Sequence, residues 1–366
     1  MTSRHALSTI LAAVVAATVM TACTSLDVVV SSSSSGADTP RSTVVSSSPS
    51  HDSTPREPTG SPDFPYSPGL SEGTIRVGRV ERQFLVHLPD ALERPRAVVL
   101  VLHGGGGRGV EIAHEGSSPL AVFRSVADRE GFVVVYPEGL AKNDLNGNEG
   151  WVDCRSDDQL SSGVDDVAFL AQLIERLRAE FGLPASAIFM VGSSNGAMMT
   201  QAFAFHRPDL VGGVAASAGN LPQRPKTGAC RRGPSRPVPI LLAHGTADSQ
   251  MPYRGGCVAD LGGACRRGRV ISAEATRDRW LKINGASRSK PVETVIDVTS
   301  GDAGDAHRFE YRGAAPVVWW RLDGAGHSSP SQIVLIERNR LSGTQNRDIE
   351  FAEVTWDFFE RLLPHG

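Results

Sequence analysis

The fold of this chain is decided around one serine, in the stretch Ile188-Phe189-Met190-Val191-Gly192-Ser193-Ser194-Asn195-Gly196-Ala197. The apolar residues before the serine predict a buried strand, and residues 197–205 after it predict a helix. Gly192 and Gly196 permit a turn that is too tight for side chains, and a helix start favours negative charge on a nearby oxygen. This strand–turn–helix order is typical of a nucleophilic serine, whereas the alternative for Ser194 is a helix N-cap. We interpret Ser194 as a nucleophile.

A second Gly-x-Ser-x-Gly copy has different surroundings, in the stretch Gly69-Leu70-Ser71-Glu72-Gly73. It follows a segment rich in Ser, Thr and Pro and precedes no predicted helix, so we interpret Ser71 as part of a linker. The pattern alone is therefore weak evidence, and the position between a strand and a helix carries the prediction.

Outward from Ser194, apolar strands alternate with helices. Continuous β-branched runs at 97–102 and 132–136 predict strands that are buried on both faces of a sheet. Further strands are predicted at 74–77, 83–88, 187–191, 214–218, 239–243, 292–298 and 317–322, and helices at 118–130, 167–181, 197–205, 273–284 and 348–363. This alternation predicts an α/β fold over residues 71–366, with a mostly parallel central sheet flanked by helices and no large cap domain.

A serine nucleophile needs a base, and the base needs a carboxylate that orients it. Asp248 follows the predicted strand at 239–243, and His327 follows the strand at 317–322 within a glycine-rich loop. The order serine, acid, histidine is expected when each residue follows a later strand of such a sheet. We therefore predict that Asp248 and His327 are the catalytic partners of Ser194.

Other residues compete for both roles. Asp260 and Asp323 are alternative acids, and His244 lies nearer to a strand end than Asp248 does. A base at His244 would leave His327 without a role, so we interpret His244 as a buried structural histidine.

Backbone N–H groups must stabilise the oxyanion that forms during acyl transfer. Asn195 is one predicted donor because it directly follows the nucleophile. The second donor is expected in the loop after an early strand, where the sequence reads Leu102-His103-Gly104-Gly105-Gly106-Gly107. This loop resembles the His-Gly-Gly-Gly motif of esterases, and Gly105 is the predicted donor.

The first residues are predicted to lie outside the fold. An apolar run at 10–20 has the length of a signal-peptide core and is too short to span a bilayer comfortably. It ends in Met20-Thr21-Ala22-Cys23, which resembles a bacterial lipobox. Residues 1–22 are therefore a predicted lipoprotein-type signal peptide, and Cys23 is the predicted lipidated N-terminus. Ordinary cleavage beside an incidental cysteine is the alternative.

A disordered tether is predicted over residues 23–70. Positions 31–60 contain 19 Ser, Thr or Pro residues, and such a segment buries too little apolar surface to offset its ordering entropy. The predicted signal peptide and lipobox, together with this tether, predict a location outside the cell. The domain would be anchored by lipid to the outer face of the bacterial membrane or the cell surface.

Four further cysteines, an even number in a chain predicted to be exported, indicate two disulfides: Cys154, Cys230, Cys257 and Cys265. Sequence alone allows three pairings. Because Cys257 and Cys265 lie in one glycine-rich loop, we predict that they pair, which leaves Cys154 for Cys230. The sequence has no Cys-x-x-Cys pair and no His/Cys cluster with zinc spacing, so no metal site is predicted.

Composition excludes some partners. Of 366 residues, 40% are hydrophobic and 21% are charged, which are globular values. A net charge of −3 without a long basic run argues against nucleic acid. No cofactor is predicted, and we expect a monomer.

These motifs together resemble the secreted polyhydroxybutyrate-depolymerase-like and feruloyl/acetylxylan-esterase-like group of the α/β-hydrolase superfamily. The resemblance spans residues 74–363 and rests on Leu102-His103-Gly104-Gly105-Gly106, Asp165-Asp166-Val167-Ala168-Phe169-Leu170, Gly192-Ser193-Ser194-Asn195-Gly196-Ala197-Met198-Met199, His244-Gly245-Thr246-Ala247-Asp248 and Met251-Pro252-Tyr253-Arg254-Gly255-Gly256. It implies cofactor-independent ester hydrolysis by Ser194, Asp248 and His327. Ser328-Ser329-Pro330 stands where close relatives often carry Thr-Trp-Pro, and the Cys257–Cys265 segment is distinctive, so the resemblance does not identify the substrate.

The predicted function is that of a secreted serine esterase acting on short-chain, hydroxyacyl or aryl acyl esters, free or linked to an envelope polymer or polysaccharide. A serine peptidase with the same triad and a non-catalytic surface lipoprotein are the alternatives. The short connection at 220–236 predicts an open site. Basic residues there and after the acid predict either a basic rim that attracts anionic substrates or ordinary solvated charges: Arg224, Lys226, Arg231, Arg232, Arg236, Arg254, Arg266, Arg267 and Arg269.

Overall fold

A computed structural model describes residues 64–364 except 91, 142–148, 160–163, 227, 259–263 and 335–341. All the described residues belong to one compact unit. The predicted signal peptide, Cys23, most of the predicted tether and the alternative acid Asp260 lie outside the described residues.

The described residues form strands and helices that alternate along the chain as predicted. The strands are β1 (Gly69–Val77), β2 (Val80–Leu88), β3 (Val98–Leu102), β4 (Val133–Pro137), β5 (Leu140–Ala141), β6 (Glu149–Gly150), β7 (Ile188–Ser193), β8 (Gly213–Ser217), β9 (Ile240–Gly245), β10 (Gly256–Cys257), β11 (Arg269–Val270), β12 (Val292–Ile296), β13 (Ala306–Tyr311) and β14 (Val317–Leu322). The helices are α1 (Gly109–Ala113), α2 (Val122–Glu130), α3 (Asp166–Phe181), α4 (Asn195–His206), α5 (Gly228–Arg232), α6 (Ala273–Ile283) and α7 (Phe351–Glu360).

Ten of the strands form one sheet in the order β1-β2-β4-β3-β7-β8-β9-β14-β13-β12. The six strands from β4 to β14 are parallel, and antiparallel strands extend the sheet at both edges. The sheet thus confirms the predicted α/β fold. Short pairs form separately between β5 and β6 and between β10 and β11.

The hydrophobic core lies on both faces of this sheet. In β3, Val98, Leu100 and Leu102 belong to the core on one face, whereas Val99 and Val101 belong to the core on the other. Successive side chains of a strand point to opposite faces, so a strand covered on both faces needs a continuous apolar run. This is the physical reason why the run at 97–102 predicts its strand correctly.

The strand order creates a crevice. β3 lies between β4, the next strand along the chain within the sheet, and β7, which the chain reaches later. Where the connections from two neighbouring strands run toward opposite sides of the sheet, a crevice opens at the carboxyl ends of the parallel strands. The glycine loop after β3 and Ser194 after β7 both lie at this edge.

The structure corrects the predicted start of the domain. β1 begins at Gly69, so Ser71 lies in an antiparallel edge strand and not in a linker. Upstream of it, Tyr66 is buried in the core, and its hydroxyl donates a 2.8 Å hydrogen bond to Glu180. Strand β13 was not predicted, because its residues are only partly buried and carry His, Arg and Glu between the apolar positions.

Both predicted disulfides are present, Cys154–Cys230 and Cys257–Cys265. The connection between β8 and β9 contains one short helix, α5, which the sequence did not predict. Within the described part of the chain, every helix is either too short or too polar to cross a membrane.

Candidate active site

Ser194 occupies a strained turn between β7 and α4. Its φ of 56° and ψ of −121° are uncommon for a residue with a side chain, and the surrounding packing must hold them. A Cβ at Gly196 would overlap the carbonyl oxygens of Leu102 and His103, and a Cβ at Gly192 would overlap the backbone of Gly196. Only glycine fits at these two positions, so the turn projects Ser194 from the end of the strand.

The structure brings together the three residues predicted from three different strand ends. His327 Nε2 lies 2.8 Å from Ser194 Oγ, and His327 Nδ1 lies 2.8 Å from Asp248 Oδ2. The alternative acid Asp323 pairs instead with Arg321 at 2.8 Å. With Asp248 accepting from Nδ1–H, Nε2 of a neutral His327 is free to accept the serine proton.

Asp248 is held by donors on both carboxylate oxygens. Its Oδ1 accepts from the backbone N–H groups of Gln250 at 2.9 Å and Met251 at 2.8 Å. Burial acts to raise the pKa of Asp248, but hydrogen bonds from His244 and His327 outweigh it and hold that pKa well below its ordinary value. The carboxylate therefore stays ionised while the site works near neutral pH.

His244 is buried, as the sequence indicated, but it also contacts the acid. Its Nε2 lies 2.9 Å from the carbonyl oxygen of Met251 and 3.2 Å from Asp248 Oδ2. Two imidazoles thus share one carboxylate oxygen. The spacing of four residues between His244 and Asp248 was the signal in the sequence that could have indicated this contact.

The glycine loop after β3 packs directly against the elbow. A Cβ added to Gly104 would lie 4.0 Å from Ser194 Oγ, and a Cβ added to Gly105 would lie 3.4 Å from Asn195 Cβ. Among the described residues, the N–H of Gly105 has no hydrogen-bond partner, and Asn195 is the first residue of α4, where an N–H has no partner within the helix. Both N–H groups are available to an anion beside Ser194.

A cavity of about 450 Å³ opens over Ser194. Its wall includes apolar side chains from helices and loops, among them Ile112 of α1, Met198 of α4, Leu120 and Met251. Ser328 and Ser329, at the position where close relatives often carry an aromatic residue, also line it. The cavity is therefore of mixed polarity, with room for a small acyl or aryl group.

Of the two alternatives for the basic connections, the structure favours ordinary solvated charges over a basic rim. Of the nine basic residues in the two connections, only Arg267 lines the described part of the cavity. Three carboxylates line it as well, from Glu111, Glu149 and Asp158, together with the buried Arg155. The positive charges of the connections mostly point elsewhere; Arg236, for example, donates to the carbonyl oxygen of Val211 at 3.0 Å.

Cys154, His206 and Cys230 have potential metal-binding atoms within 4.8 Å of one another. The two sulfur atoms are joined in a disulfide, and His206 Nδ1 lies 2.8 Å from the carbonyl oxygen of Ala202. Zinc binds cysteine as a thiolate, so this disulfide-bonded cluster does not offer a metal site.

Comparisons with known proteins find similarity to ester hydrolases. The Phospholipase/Carboxylesterase family matches residues 88–260, which include β3, the elbow and Asp248. A putative esterase, NocK, from Nocardia uniformis subsp. tsuyamanensis is 27% identical over 277 residues, which are 73% of this chain and 75% of that protein. Feruloyl esterase B from Talaromyces funiculosus is 26% identical over 174 residues, covering 47% of this chain and 44% of that protein.

Two more distant similarities concern polymer-acting proteins. Poly(3-hydroxyalkanoate) depolymerase C from Paucimonas lemoignei is 26% identical over 37% of this chain and 31% of that protein. The solved structure of an acetyl xylan esterase from Aspergillus awamori superposes with a TM-score of 0.49 and 17% identity, over 74% of this chain and 97% of that one. The chain is a carboxylic ester hydrolase with the α/β-hydrolase fold, similar to feruloyl and acetylxylan esterases and to a polyhydroxyalkanoate depolymerase.

Proposed function

We propose that the chain hydrolyses esters by two-step acyl transfer, with Ser194 as nucleophile, His327 as base and Asp248 as the orienting acid. Ser194 Oγ attacks the carbonyl carbon while its proton passes to His327 Nε2. Collapse of the tetrahedral intermediate breaks the bond to the alcohol oxygen, and the alcohol leaves with that proton. Water then attacks the acyl-enzyme, giving its proton to His327, and the acid is released as Ser194 recovers a proton.

The proposed oxyanion donors are the backbone N–H groups of Gly105 and Asn195. The packing of the glycine loop against the elbow supports this assignment. Preorganised donors of this kind stabilise charge that develops only in the transition state, so they raise kcat more than they tighten substrate binding.

One observation carries the assignment. Ser194 has a strained backbone conformation, and its side chain accepts no N-cap hydrogen bond. Its Oγ lies 2.8 Å from His327 Nε2, and His327 Nδ1 lies 2.8 Å from the buried carboxylate of Asp248. A helix N-cap serine would instead accept an N–H from the first turn of α4. Strain at a serine with this partner supports a nucleophile and argues against a structural role.

The cavity supports small or planar acyl groups as substrates. Its apolar residues, including Ile112, Leu120 and Met251, suit a short-chain, hydroxyacyl or aryl acyl group. Its serine and glutamine side chains, including Ser118, Gln250 and Ser329, suit an alcohol portion with hydroxyl groups.

A fluorophosphonate reagent tests the assignment on the intact chain. We expect covalent labelling of Ser194, located by peptide mass spectrometry, and turnover of p-nitrophenyl butyrate that labelling abolishes. Absence of labelling and turnover would support the non-catalytic surface protein instead. Faster turnover of an aminoacyl anilide than of the ester would support the peptidase.

We also propose that the enzyme is exported and that a lipid on Cys23 anchors it to the outer face of the cell membrane or to the cell surface. The support is the sequence at 20–23, where an apolar segment ends in small residues before a cysteine. Replacing Cys23 by alanine is expected to release the enzyme from the membrane fraction. Retention of the variant in that fraction would overturn the proposal.

A further inference from the structure

Trp151 lies where the two segments with the proposed oxyanion donors meet. Its indole is fully buried, and Nε1 donates a 2.9 Å hydrogen bond to the carbonyl oxygen of His103. Its backbone N–H donates to Asn195 Oδ1 at 2.8 Å, and its carbonyl oxygen accepts from Asn195 Nδ2 at 3.1 Å. One residue therefore binds both the start of the glycine loop and the residue that follows the nucleophile.

The His103 end of this bridge is rigid. His103 Nε2 accepts from the N–H of Gly139 at 2.9 Å, so Nδ1 carries the proton and donates to the carbonyl oxygen of Gly104 at 2.8 Å. Burial lowers the pKa of His103, which keeps the ring neutral. Its ring packs against the Trp151 indole with centroids 5.0 Å apart. The carbonyl that Trp151 binds is thus held in place two residues before Gly105.

The Asn195 end is anchored in the same loop as Trp151. Asp153 Oδ2 accepts from Asn195 Nδ2 at 2.9 Å and pairs with the buried Arg155 at 2.7 Å. Arg155 also pairs with Asp158 at 3.1 Å, and the neighbouring Cys154 is tied to Cys230 by a disulfide. These contacts leave the loop that carries Trp151 little freedom to shift against α4.

We propose that Trp151 is a positioning residue that sets the separation between the Gly105 and Asn195 N–H groups. This inference rests on the proposed ester hydrolysis at Ser194. Oxyanion donors act only when both lie about 2.7–3.1 Å from the developing charge, so a shift of one segment weakens transition-state binding. Trp151 itself does not line the described part of the cavity, so substrate binding does not depend on it directly.

The test replaces Trp151 by phenylalanine in the full chain and uses Trp280→Phe as the matched control. Trp280 is also fully buried, and its Nε1 also donates one hydrogen bond, at 2.8 Å to Gln201 Oε1. Both variants lose an indole and a buried hydrogen bond, but only the first loses the hydrogen bond to the carbonyl oxygen of His103, at the start of the glycine loop. The measurements are kcat and KM for p-nitrophenyl butyrate, the inhibition constant of a trifluoromethyl ketone analogue of the transition state, and Tm.

For Trp151→Phe we expect kcat to fall about tenfold to a hundredfold with KM nearly unchanged, and the ketone to bind more weakly by a similar factor. Trp280→Phe is expected to lower Tm while leaving kcat and ketone binding within about twofold, because its hydrogen bond reaches α4 at Gln201 and binds neither Asn195 nor the glycine loop. Equal effects of the two variants on kcat and ketone binding would overturn the proposal.

A second substitution guards against a folding defect. Benzothienylalanine at position 151 keeps the shape of the indole and removes only its N–H, and the same fall in kcat and ketone affinity is expected. Normal kcat and ketone affinity with this residue would overturn the proposal. Failure of the proposed function would look different, since Ser194→Ala would then retain ester turnover whatever stands at position 151.

Discussion

The two Gly-x-Ser-x-Gly copies share a pattern and differ in what the surrounding structure does with it. Ser71 lies in the edge strand β1 opposite Val86, and its hydroxyl donates to the carbonyl oxygen of Ser67 at 3.2 Å. Ser194 lies in a strained elbow and is hydrogen-bonded to His327. An extended edge strand delivers no base to its serine, whereas the elbow sits at the edge where several loops converge.

The glycines of the two copies also serve different purposes. Gly69 has a positive φ of 81° but open space around it, so it serves only a local bend. Gly196 packs against the carbonyl oxygens of Leu102 and His103, so it lets α4 approach the end of β3. Gly73, the counterpart of Gly196 in the first copy, packs against the side chain of Phe84 and not against backbone. The comparison teaches that the pattern is meaningful where its glycines let two backbone segments meet.

The largest expected effect separates the two serines. Ser194→Ala should lower kcat/KM for p-nitrophenyl butyrate by on the order of 10⁵- to 10⁶-fold, because the covalent intermediate cannot form. Ser71→Ala should leave it within about twofold, since an exposed strand hydroxyl contributes little. Circular dichroism checks that both variants are folded. Near-normal turnover by Ser194→Ala would contradict the assignment of the site.

The next effect concerns Asp248, the carboxylate that orients the base at Ser194. Asp248→Asn should lower kcat on the order of 10³- to 10⁴-fold, because an amide stabilises neither the required tautomer nor the protonated form of His327. A loss smaller than about tenfold would indicate a different acid.

Asp248→Asn also tests a predicted pH dependence of the free energy of unfolding. The folded-state pKa of Asp248 is lowered, so its ionisation stabilises the fold above its unfolded pKa of about 3.9, and this stabilisation is lost as pH falls toward the folded value. The difference in unfolding free energy between wild type and Asp248→Asn should therefore shrink below about pH 4. Urea titrations at several pH values measure it; a difference that grew on acidification would contradict the lowered pKa.

A smaller effect separates the glycines. Gly196→Ala should destabilise the fold by about 2–4 kcal/mol, because its Cβ meets backbone atoms that cannot move aside. Gly69→Ala should cost only about 1 kcal/mol, since the positive φ is its only obstacle. Urea unfolding of the two variants checks the order. Equal losses would mean that the elbow tolerates a side chain and that the two motifs differ less than the structure indicates.

The smallest expected effect concerns charge around the active serine. Two butyrate esters that differ in charge and little in shape test it, the anionic para-carboxyphenyl ester and the neutral para-carbamoylphenyl ester. Because both acidic and basic residues line the cavity, the ratio of their catalytic efficiencies should change less than about twofold between low and high salt. A clear preference for the anionic ester that salt removes would restore the basic rim that the structure does not support.

Much of the fold could be predicted from local patterns. The runs at 97–102 and 317–322 are strands because only a position between two helical layers requires consecutive apolar side chains. Asp165 caps α3 by accepting from Ala168 N–H at 2.9 Å, in line with the predicted helix start. Strand β13, which lies between β14 and the edge strand β12, escaped prediction because partly exposed strands tolerate charged residues and lose the apolar signal.

The candidate site divides in the same way. The sequence could propose the three residues of the triad because each lies just past a strand that is easy to recognise: Ser194, Asp248 and His327. Trp151 could not be proposed in this way, because its importance lies in hydrogen bonds to residues 48 and 44 positions away along the chain. The direction of the basic side chains was likewise invisible, since charge in a loop does not specify which way the loop turns.

The sequence by itself determined which segments are buried, where the chain turns and which side chains can carry acyl transfer. Only the tertiary structure decided that β9 and β14 lie side by side, that Ser194 and His327, 133 positions apart, meet at 2.8 Å, and that the Ser71 hydroxyl donates to the carbonyl oxygen of Ser67. The physical reason is that burial and turn preferences act over a few residues. Strand order and loop contacts depend instead on packing among segments that are far apart along the chain.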